Sequence, residues 1–202
     1  MAEKKPFFHF LSDISKIHHR AAFTDVAKHT TPKQSQFLKL AGERFSCRSF
    51  KKTPITEEEL ASVLEAGRLA PTAQNRQPVH LWVIKSPEGL EKLKQITPYS
   101  YDAPLAILVG CKPEEAWVRK YDGKNGAEID AAIVATHIML EAAALRLGSV
   151  WVGSFDPFKL AELYPETAGW VPVAILPIGH AASGPGENHV KRKDWWTLIS
   201  NL

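Results

Sequence analysis

The stretch AEIDAAIVATHIMLEAAALRLG (127–148) decides how this 202-residue chain folds. It is apolar almost all round and rich in alanine, which predicts a central helix rather than a surface one. Small side chains also let a neighbouring helix approach closely, so the same stretch suits a subunit interface. The segment SVWVGSF (149–155) follows directly and is predicted to be a short strand or an extended turn.

Three further apolar runs predict strands on either side of this helix: VHLWVIKS (79–86), APLAILVGC (103–111) and VPVAILPIG (171–179). The run 103–111 is apolar nearly throughout, as expected of a strand buried on both faces. Further helices are predicted at about 35–46 with Phe37 and Phe45 on the buried side, at 57–69 behind a Thr56/Glu59 capping box, at 86–96 and at 156–164. This order predicts an α/β or α+β sandwich in which helices cover a small sheet.

Residues 1–34 are predicted to be a helical N-terminal extension, and residues 35–202 the main domain. Phe7, Phe10 and Ile14 recur at helical spacing in the extension. No secretory signal and no run of about 18 apolar residues is visible, so we expect a cytoplasmic protein that does not span a membrane. The net charge of +3 is too small to predict binding to nucleic acid.

Most familiar catalytic motifs are absent from the sequence. It contains no GxGxxG after a strand, no GxxxxGK[ST], no GxSxG and no HExxH. The two cysteines, Cys47 and Cys111, lack the spacing of a zinc site, so no metal is expected; a reduced pair is the simpler interpretation, with a single disulfide as the alternative. His137 is expected to be a hydrogen-bonded core residue. An enzyme without its own nucleophile or metal usually takes its chemistry from a cofactor.

A basic segment, RFSCRSFKK (44–52), carries four cations and no acid. If its first part is helical, Arg44 and Arg48 share one face at i,i+4 spacing, with the Ser46 hydroxyl close by. Two guanidinium groups and a hydroxyl suit a phosphate monoester. The basic run KRK (191–193) could join them, although charge alone equally allows two separate solvated faces.

A carboxamide loop, APTAQNRQP (70–78), offers a different chemistry. Its Gln and Asn side chains both donate and accept hydrogen bonds, so they can match a flat heterocycle with alternating N–H and C=O groups. The alternative is an ordinary turn between two prolines. In LGSVWVG (147–153), Gly148 and Gly153 would let backbone approach a flat ligand, or Gly148 could simply end the preceding helix.

Together these motifs resemble the FMN-dependent nitroreductase family. The resemblance covers residues 35–200 and is carried by ERFSCRSF (43–50), EAGRLAPTAQNRQPVHLWVI (65–84), LRLGSVWVGSF (145–155), VPVAILPIGH (171–180) and KRK (191–193), in that order. It implies a small mixed or antiparallel sheet covered by helices, with FMN at a homodimer interface. It also implies a ping-pong oxidoreductase that passes a hydride from NADH or NADPH through flavin N5 to a nitroaromatic, a quinone or a similar small-molecule oxidant.

The resemblance also implies roles for particular residues. Arg44, Ser46 and Arg48 would bind the FMN phosphate together with Arg192, with Lys191 or Lys193 as the less certain choice. Asn75 would address the pyrimidine edge of the flavin, and the Gly153 N–H would donate to N5. The other residues expected to line the ring are Pro71, Thr72, Ala73, Gln77, Trp151 and Val152.

The resemblance leaves some questions open. Val79 stands where the family often has Trp, which changes packing beneath the carboxamide loop but removes no expected FMN contact. The segment 112–126 would cover the substrate side, with Trp117 and Tyr121 either stacking on an aromatic oxidant or simply packing. Alternative functions are a flavin-binding redox sensor or carrier that is not a reductase, and a family variant such as a reductive dehalogenase.

Overall fold

The computed structural model describes residues 33–194 and 197–200. The predicted helix within residues 1–34 lies outside the described residues, so that domain boundary stays a prediction. Residues Gln36–His189 form one compact unit. Residues 33–35, 190–194 and 197–200 group separately from it, and the fold below is that of Gln36–His189.

A four-stranded antiparallel sheet forms the centre of this unit. Its strands are β1 Val79–Ile84, β2 Leu105–Cys111, β3 Gly148–Ser149 and β4 Val171–Gly179, in the spatial order β1-β2-β4-β3. Neighbouring strands are antiparallel throughout. Strands β1, β2 and β4 were predicted, whereas β3 overlaps only at Ser149 with the segment 149–155 that was expected to be a short strand or an extended turn. The sheet is of the antiparallel rather than the mixed kind.

The central strand β2 divides the core into two layers. Every residue of β2 is buried, as its apolar run predicted. Because side chains alternate across a strand, Ile107 and Val109 pack on one face of the sheet, and Ala106 and Leu108 on the other. Complete burial of a Leu or Ile side chain stabilises the fold by roughly 1.5–3 kcal/mol. Because β2 has such side chains on both faces, helices that cover both faces of the sheet stabilise it.

Five described helices surround the sheet: α1 Gln36–Glu43, α2 Glu57–Arg68, α3 Pro87–Ile96, α4 Ala127–Ala144 and α5 Pro157–Leu163. Helices α2 and α4 cover one face and α3 and α5 the other. The predicted capping box at α2 is present, since Thr56 accepts from the Glu59 N–H and Glu59 accepts from the Thr56 N–H. This arrangement confirms the predicted helix-covered sandwich.

Two helices end earlier than predicted. Helix α1 stops at Glu43 rather than 46, and Phe37, expected on its buried side, is 63% exposed. Helix α4 stops at Ala144, where the Arg146 and Leu147 N–H groups bond to Ala143 and Ala142 in a Schellman motif. Gly148 therefore does not end the helix; it begins β3 instead.

Candidate flavin site

The basic segment is extended, and the prediction that its first part is helical was wrong. Ser46 forms a bridge with Ser149, and the Cys47 N–H donates to the Ser149 carbonyl at 3.0 Å. Because alternate residues of an extended chain share a side, Ser46 and Arg48 lie on the side opposite to the buried Cys47. Arg44 directly follows α1, and its N–H still donates to the Leu40 carbonyl at 2.9 Å. The Arg48 Nη1 also lies 3.4 Å from the Ser46 carbonyl oxygen, which keeps its guanidinium near the hydroxyl-bearing residue.

Gly148 lets the basic segment lie close against β3. A Cβ atom at this position would sit 2.6 Å from the Cys47 Sγ and 2.7 Å from its Cβ. Two more backbone bonds, from Lys51 N–H to the His180 carbonyl and from Ala182 N–H to the Ser49 carbonyl, extend the attachment past the end of β4. The sheet edge therefore presents Arg44, Ser46 and Arg48 on a fixed backbone.

The carboxamide loop holds its three carboxamide residues in an unusual backbone conformation. Gln74, Asn75 and Gln77 have φ angles of 54°, 54° and 53°. This left-handed region is disfavoured for residues with a Cβ, by roughly 1–2 kcal/mol each. Outside glycine such conformations persist only where the surroundings enforce them, and they cluster at functional sites.

Local hydrogen bonds account for part of that enforcement. The Asn75 N–H donates to the Thr72 carbonyl at 2.9 Å, and the Gln77 N–H donates to the Thr72 hydroxyl at 3.0 Å. The Gln77 Nε2 donates to the Asn75 carbonyl at 3.3 Å. The Asn75 side chain is exposed, so its carboxamide is accessible to a ligand.

Two longer-range bonds attach the loop to other elements. The Ala73 N–H donates to Asp130 Oδ1 at 3.0 Å, and Arg76 Nη1 donates to the Ala116 carbonyl at 3.4 Å. Asp130 lies in the first turn of α4 and is 2% exposed. Sequence reasoning did not identify this residue, because Glu128 and Asp130 both lie in the first turn of α4 and the sequence does not distinguish the buried acid from its neighbour.

The segment Trp151–Gly153 follows β3 and combines one buried residue with two exposed ones. Val152 is buried and exchanges both backbone hydrogen bonds with Ile175, so it anchors the segment. Trp151 is 37% exposed, and Gly153 is exposed with an N–H that has no acceptor among the described residues. The Trp151 N–H likewise has no acceptor among the described residues, so both residues that flank Val152 offer a backbone donor, and Gly153 does so without a side chain.

The predicted site residues fall into two groups within the unit Gln36–His189. Arg44, Ser46 and Arg48 lie against β3, which continues into Trp151, Val152 and Gly153. Pro71, Thr72, Ala73, Asn75 and Gln77 lie together in the carboxamide loop, which is attached to the first turn of α4. Arg192 belongs to the separate C-terminal group, so its role, like the choice between it and Lys191 or Lys193, stays a prediction.

Helix α4 separates these two groups. It has 18 residues and is therefore about 27 Å long at 1.5 Å per residue. The carboxamide loop is attached near its start at Asp130, whereas β3 begins only four residues after its end at Ala144. From Asp130 to Ala144 the helix rises about 21 Å, so the two groups are attached near opposite ends of it.

A turn over 117–126 borders the carboxamide loop. Val118 and Asn125 form a bridge, and the Gly126 N–H donates to the Trp117 carbonyl at 2.9 Å. Gln74, Arg76, Trp117 and Tyr121 line a cavity of about 740 Å³ here, and Tyr121 is 84% exposed. Both aromatic residues lie at one opening, with Trp117 half-buried, so stacking on an oxidant and simple packing both stay predictions.

Neither cysteine is suited to be a nucleophile. Both are free and buried, so the alternative of a Cys47–Cys111 disulfide does not hold. Burial, together with nearby carboxylates, raises the pKa of the Cys111 thiol to about 11, and burial also raises the pKa of Cys47. A thiol that stays protonated at neutral pH is a poor nucleophile. His137, expected in the core, is half-buried and bonds through Nδ1 to the Ile133 carbonyl.

Residues 41–99 and 98–180 match the sequence profile of the Nitroreductase family. The chain belongs to the nitroreductase family. A Methanothermobacter thermautotrophicus relative, provisionally named an NADH dehydrogenase/NAD(P)H nitroreductase, is 30% identical over 155 residues, which cover 71% of this chain and 76% of the relative. A Bacillus subtilis protein named FMN reductase [NAD(P)H] is 26% identical over 166 residues, covering 73% of this chain and 67% of that protein.

Solved structures of nitroreductases share this fold. A nitroreductase family protein from Clostridium difficile superimposes with a TM-score of 0.77 at 40% identity, covering 82% of this chain and 98% of the other. A provisionally named nitroreductase from Desulfovibrio desulfuricans, solved in complex with FMN, gives a TM-score of 0.70 at 26% identity, covering 83% and 96%. None of the helices in the described part of this nitroreductase family member combines the length and apolarity needed to cross a bilayer.

Proposed function

We propose that this protein is an FMN-dependent NAD(P)H oxidoreductase whose two flavin sites each combine the basic segment of one subunit with the carboxamide loop of another. The observation that carries the proposal is that the basic segment and the carboxamide loop are attached near opposite ends of α4. The first is cationic and the second carries carboxamides in a strained backbone. FMN has a dianionic phosphate at one end and a hydrogen-bonding pyrimidine edge at the other.

The basic segment fits the phosphate end. Ser46 and Arg48 lie on an extended backbone held by Ser149 and His180, and Arg44 precedes them at the end of α1. Guanidinium groups form charge-assisted hydrogen bonds with phosphate oxygens, which are roughly twice as strong as neutral ones. Arg192 is proposed as the fourth contact.

The carboxamide loop fits the ring end. Asn75 can donate and accept at the pyrimidine edge, while Pro71, Thr72, Ala73 and Gln77 surround it without introducing a charge. The Gly153 N–H, which has no acceptor among the described residues, is the proposed donor to flavin N5. Trp151 would limit access to the ring from the same segment.

Exposed apolar residues support a dimer. On α4, Ile129 is 49% exposed and lies beside Ile133 in a shallow apolar groove. Phe37 on α1, which packs against α4, is 63% exposed. A second copy covering these residues would bury them and bring a carboxamide loop to each basic segment.

Bound FMN would supply two-electron chemistry, accepting a hydride from NADH or NADPH and passing it to an oxidant such as a nitroaromatic or a quinone. The chain's own residues would bind the phosphate, orient the ring and hold a hydrogen bond at N5. Trp117 and Tyr121 would border the opening through which nicotinamide and oxidant exchange places. The absence of a reactive thiol agrees with chemistry carried by a cofactor.

The test is to measure flavin content, oligomeric mass and anaerobic reduction of the same purified protein. We expect a yellow dimer that releases FMN on denaturation and is bleached by NADH or NADPH at a catalytic rate. Bound FMN that neither nucleotide reduces would instead indicate a flavin-binding sensor or carrier. Protein that takes up no FMN would overturn the proposal, and a panel of nitroaromatic, quinone and halogenated substrates would define the oxidant.

A further inference from the structure

We propose that Asp130 is the positioning residue of the flavin site: it fixes the carboxamide loop in its binding conformation through the Ala73 N–H. The inference rests on the proposed function, because it assigns the loop to FMN. Asp130 itself would not touch the cofactor, and nothing in its sequence position alone indicates this role.

The first observation is where the carboxylate lies. Asp130 is 2% exposed within α4, and Oδ1 accepts the Ala73 N–H at 3.0 Å across 57 residues of sequence. Oδ2 is buried and has no hydrogen-bond partner among the described residues. A carboxylate in the first turn of a helix is favoured by the helix dipole, which offsets part of the cost of burial.

The second observation is what the bond holds. Ala73 begins the short 3-10 turn Ala73–Asn75, and left-handed residues follow at Gln74, Asn75 and Gln77. Such backbone needs an external restraint, because the local bonds to Thr72 move together with the loop. Asp130 supplies that restraint from a helix packed in the core at 3.0 Å, whereas the bond from the exposed Arg76 side chain to the Ala116 carbonyl is longer, at 3.4 Å.

A role in stability alone explains the carboxylate poorly. A buried acid with a single donor is weak evidence for stabilisation, and an apolar residue often serves as well or better. The bond holds Ala73, the first residue of the turn that carries Asn75, which is the predicted flavin contact. Loss of Asp130 should therefore alter cofactor binding beyond any general loss of stability.

The test is a double-mutant cycle on FMN affinity, using Asp130→Ala, Ala73→Pro and the double variant. Proline removes the N–H that Asp130 accepts, and Thr72, with φ −130° and ψ 158°, already has a conformation suited to precede proline. We expect each single variant to raise the Kd for FMN at least tenfold and to shift the midpoint potential of the bound flavin. The double variant should be no worse than the weaker-binding single one. Losses that multiply would overturn the inference, as would a wild-type Kd and potential in Asp130→Ala.

Two controls separate positioning from folding. Tyr164→Phe removes another buried long-range bond, from the Tyr164 hydroxyl to the Gly89 carbonyl at 2.6 Å, and should lower the melting temperature while leaving the Kd within twofold. Asp130→Asn keeps an acceptor for Ala73 and should restore most of the affinity. If Asp130→Ala fails to fold, the test compares Asp130→Asn with Ala73→Pro. An Asp130→Asn variant that binds FMN no better than Ala73→Pro would contradict the inference.

Hydrogen exchange distinguishes failure of this inference from failure of the proposed function. Asp130→Ala should speed exchange of the amides in 73–77, whereas Tyr164→Phe should not. Wild-type protein that takes up no FMN would overturn the proposed function and the cofactor part of this inference. Unchanged exchange in the loop would overturn the positioning role itself, whatever the wild-type protein binds.

Discussion

At the scale of single residues, Arg48 offers the most direct test of the phosphate site. Its side chain is exposed, and its guanidinium lies beside the Ser46 carbonyl without a carboxylate partner in the described contacts. A hydrogen bond to a charged group contributes about 1.5–3 kcal/mol, or roughly ten- to a hundredfold in affinity. Arg48→Ala should weaken FMN binding by that factor in a fluorescence titration.

A matched loss of charge serves as the control for Arg48. Lys92→Ala removes a half-buried cation on α3 that forms an ion pair with the exposed Glu88, so FMN affinity should not change. Arg48→Lys should give an intermediate affinity because lysine cannot form the paired contact of a guanidinium. Equal affinities for Arg48→Ala and the wild type would contradict the phosphate role.

Gly153 tests the approach of backbone to the flavin ring. A methyl group at this position would meet nothing closer than the Trp151 Nε1 at 3.5 Å, an ordinary van der Waals contact. Gly153→Ala should therefore leave the melting temperature unchanged while lowering FMN affinity severalfold, because the methyl group intrudes on the cofactor. Gly184→Ala, another substitution into open space, should change neither quantity. If Gly153→Ala binds FMN like the wild type, N5 is not approached at this residue.

At the scale of elements, the contact between β3 and the basic segment depends on Gly148. Gly148→Ala would place a Cβ 2.6 Å from the Cys47 Sγ, so the basic segment must shift away from β3. Overpacking of this kind costs typically 1–3 kcal/mol. We expect a lower free energy of unfolding in urea together with weaker FMN binding. Gly153→Ala should lower FMN affinity alone, whereas Gly148→Ala should lower both the affinity and the free energy of unfolding. Wild-type stability in Gly148→Ala would show that the contact between β3 and the basic segment tolerates a methyl group.

Local patterns predicted most of these elements, and the exceptions have physical reasons. Thr56 and Glu59 marked the start of α2 because a capping box is complete within four residues. The helix predicted at about 35–46 extended past Glu43 because Phe45 continues the apolar spacing of Phe37 and Leu40. The bridge from Ser46 to Ser149, a hundred residues away, selects the extended form.

The site was predictable as residue types but not as an arrangement. Asn and Gln in the carboxamide loop suggested a flat hydrogen-bonding ligand. The local sequence did not predict the positive φ angles at Gln74, Asn75 and Gln77, because such angles are usual only for glycine. The restraint on the loop comes from Asp130, which sequence alone presents as a first-turn acid. Tertiary hydrogen bonds of this kind leave no periodic signal in the sequence.

At the scale of the whole molecule, the proposal that each flavin bridges two subunits predicts complementation between defective chains. Arg48→Ala impairs the basic segment and Asn75→Ala the carboxamide loop, so each homodimer should bind FMN weakly at both sites. In a heterodimer of the two variants, one site takes both defects. The other combines the intact basic segment of one chain with the intact loop of its partner, which follows if the two ends of α4 serve different flavins.

The experiment is to co-express the two variants with different affinity tags and purify the heterodimer through both. We expect one FMN per dimer bound with wild-type affinity, and half of the wild-type reductase activity. A heterodimer of Arg48→Ala with the wild type should also keep one tight site, which calibrates the measurement. If each site were built from a single chain, both sites of the doubly defective heterodimer would stay weak, and the arrangement across subunits would be wrong while FMN binding itself remained possible.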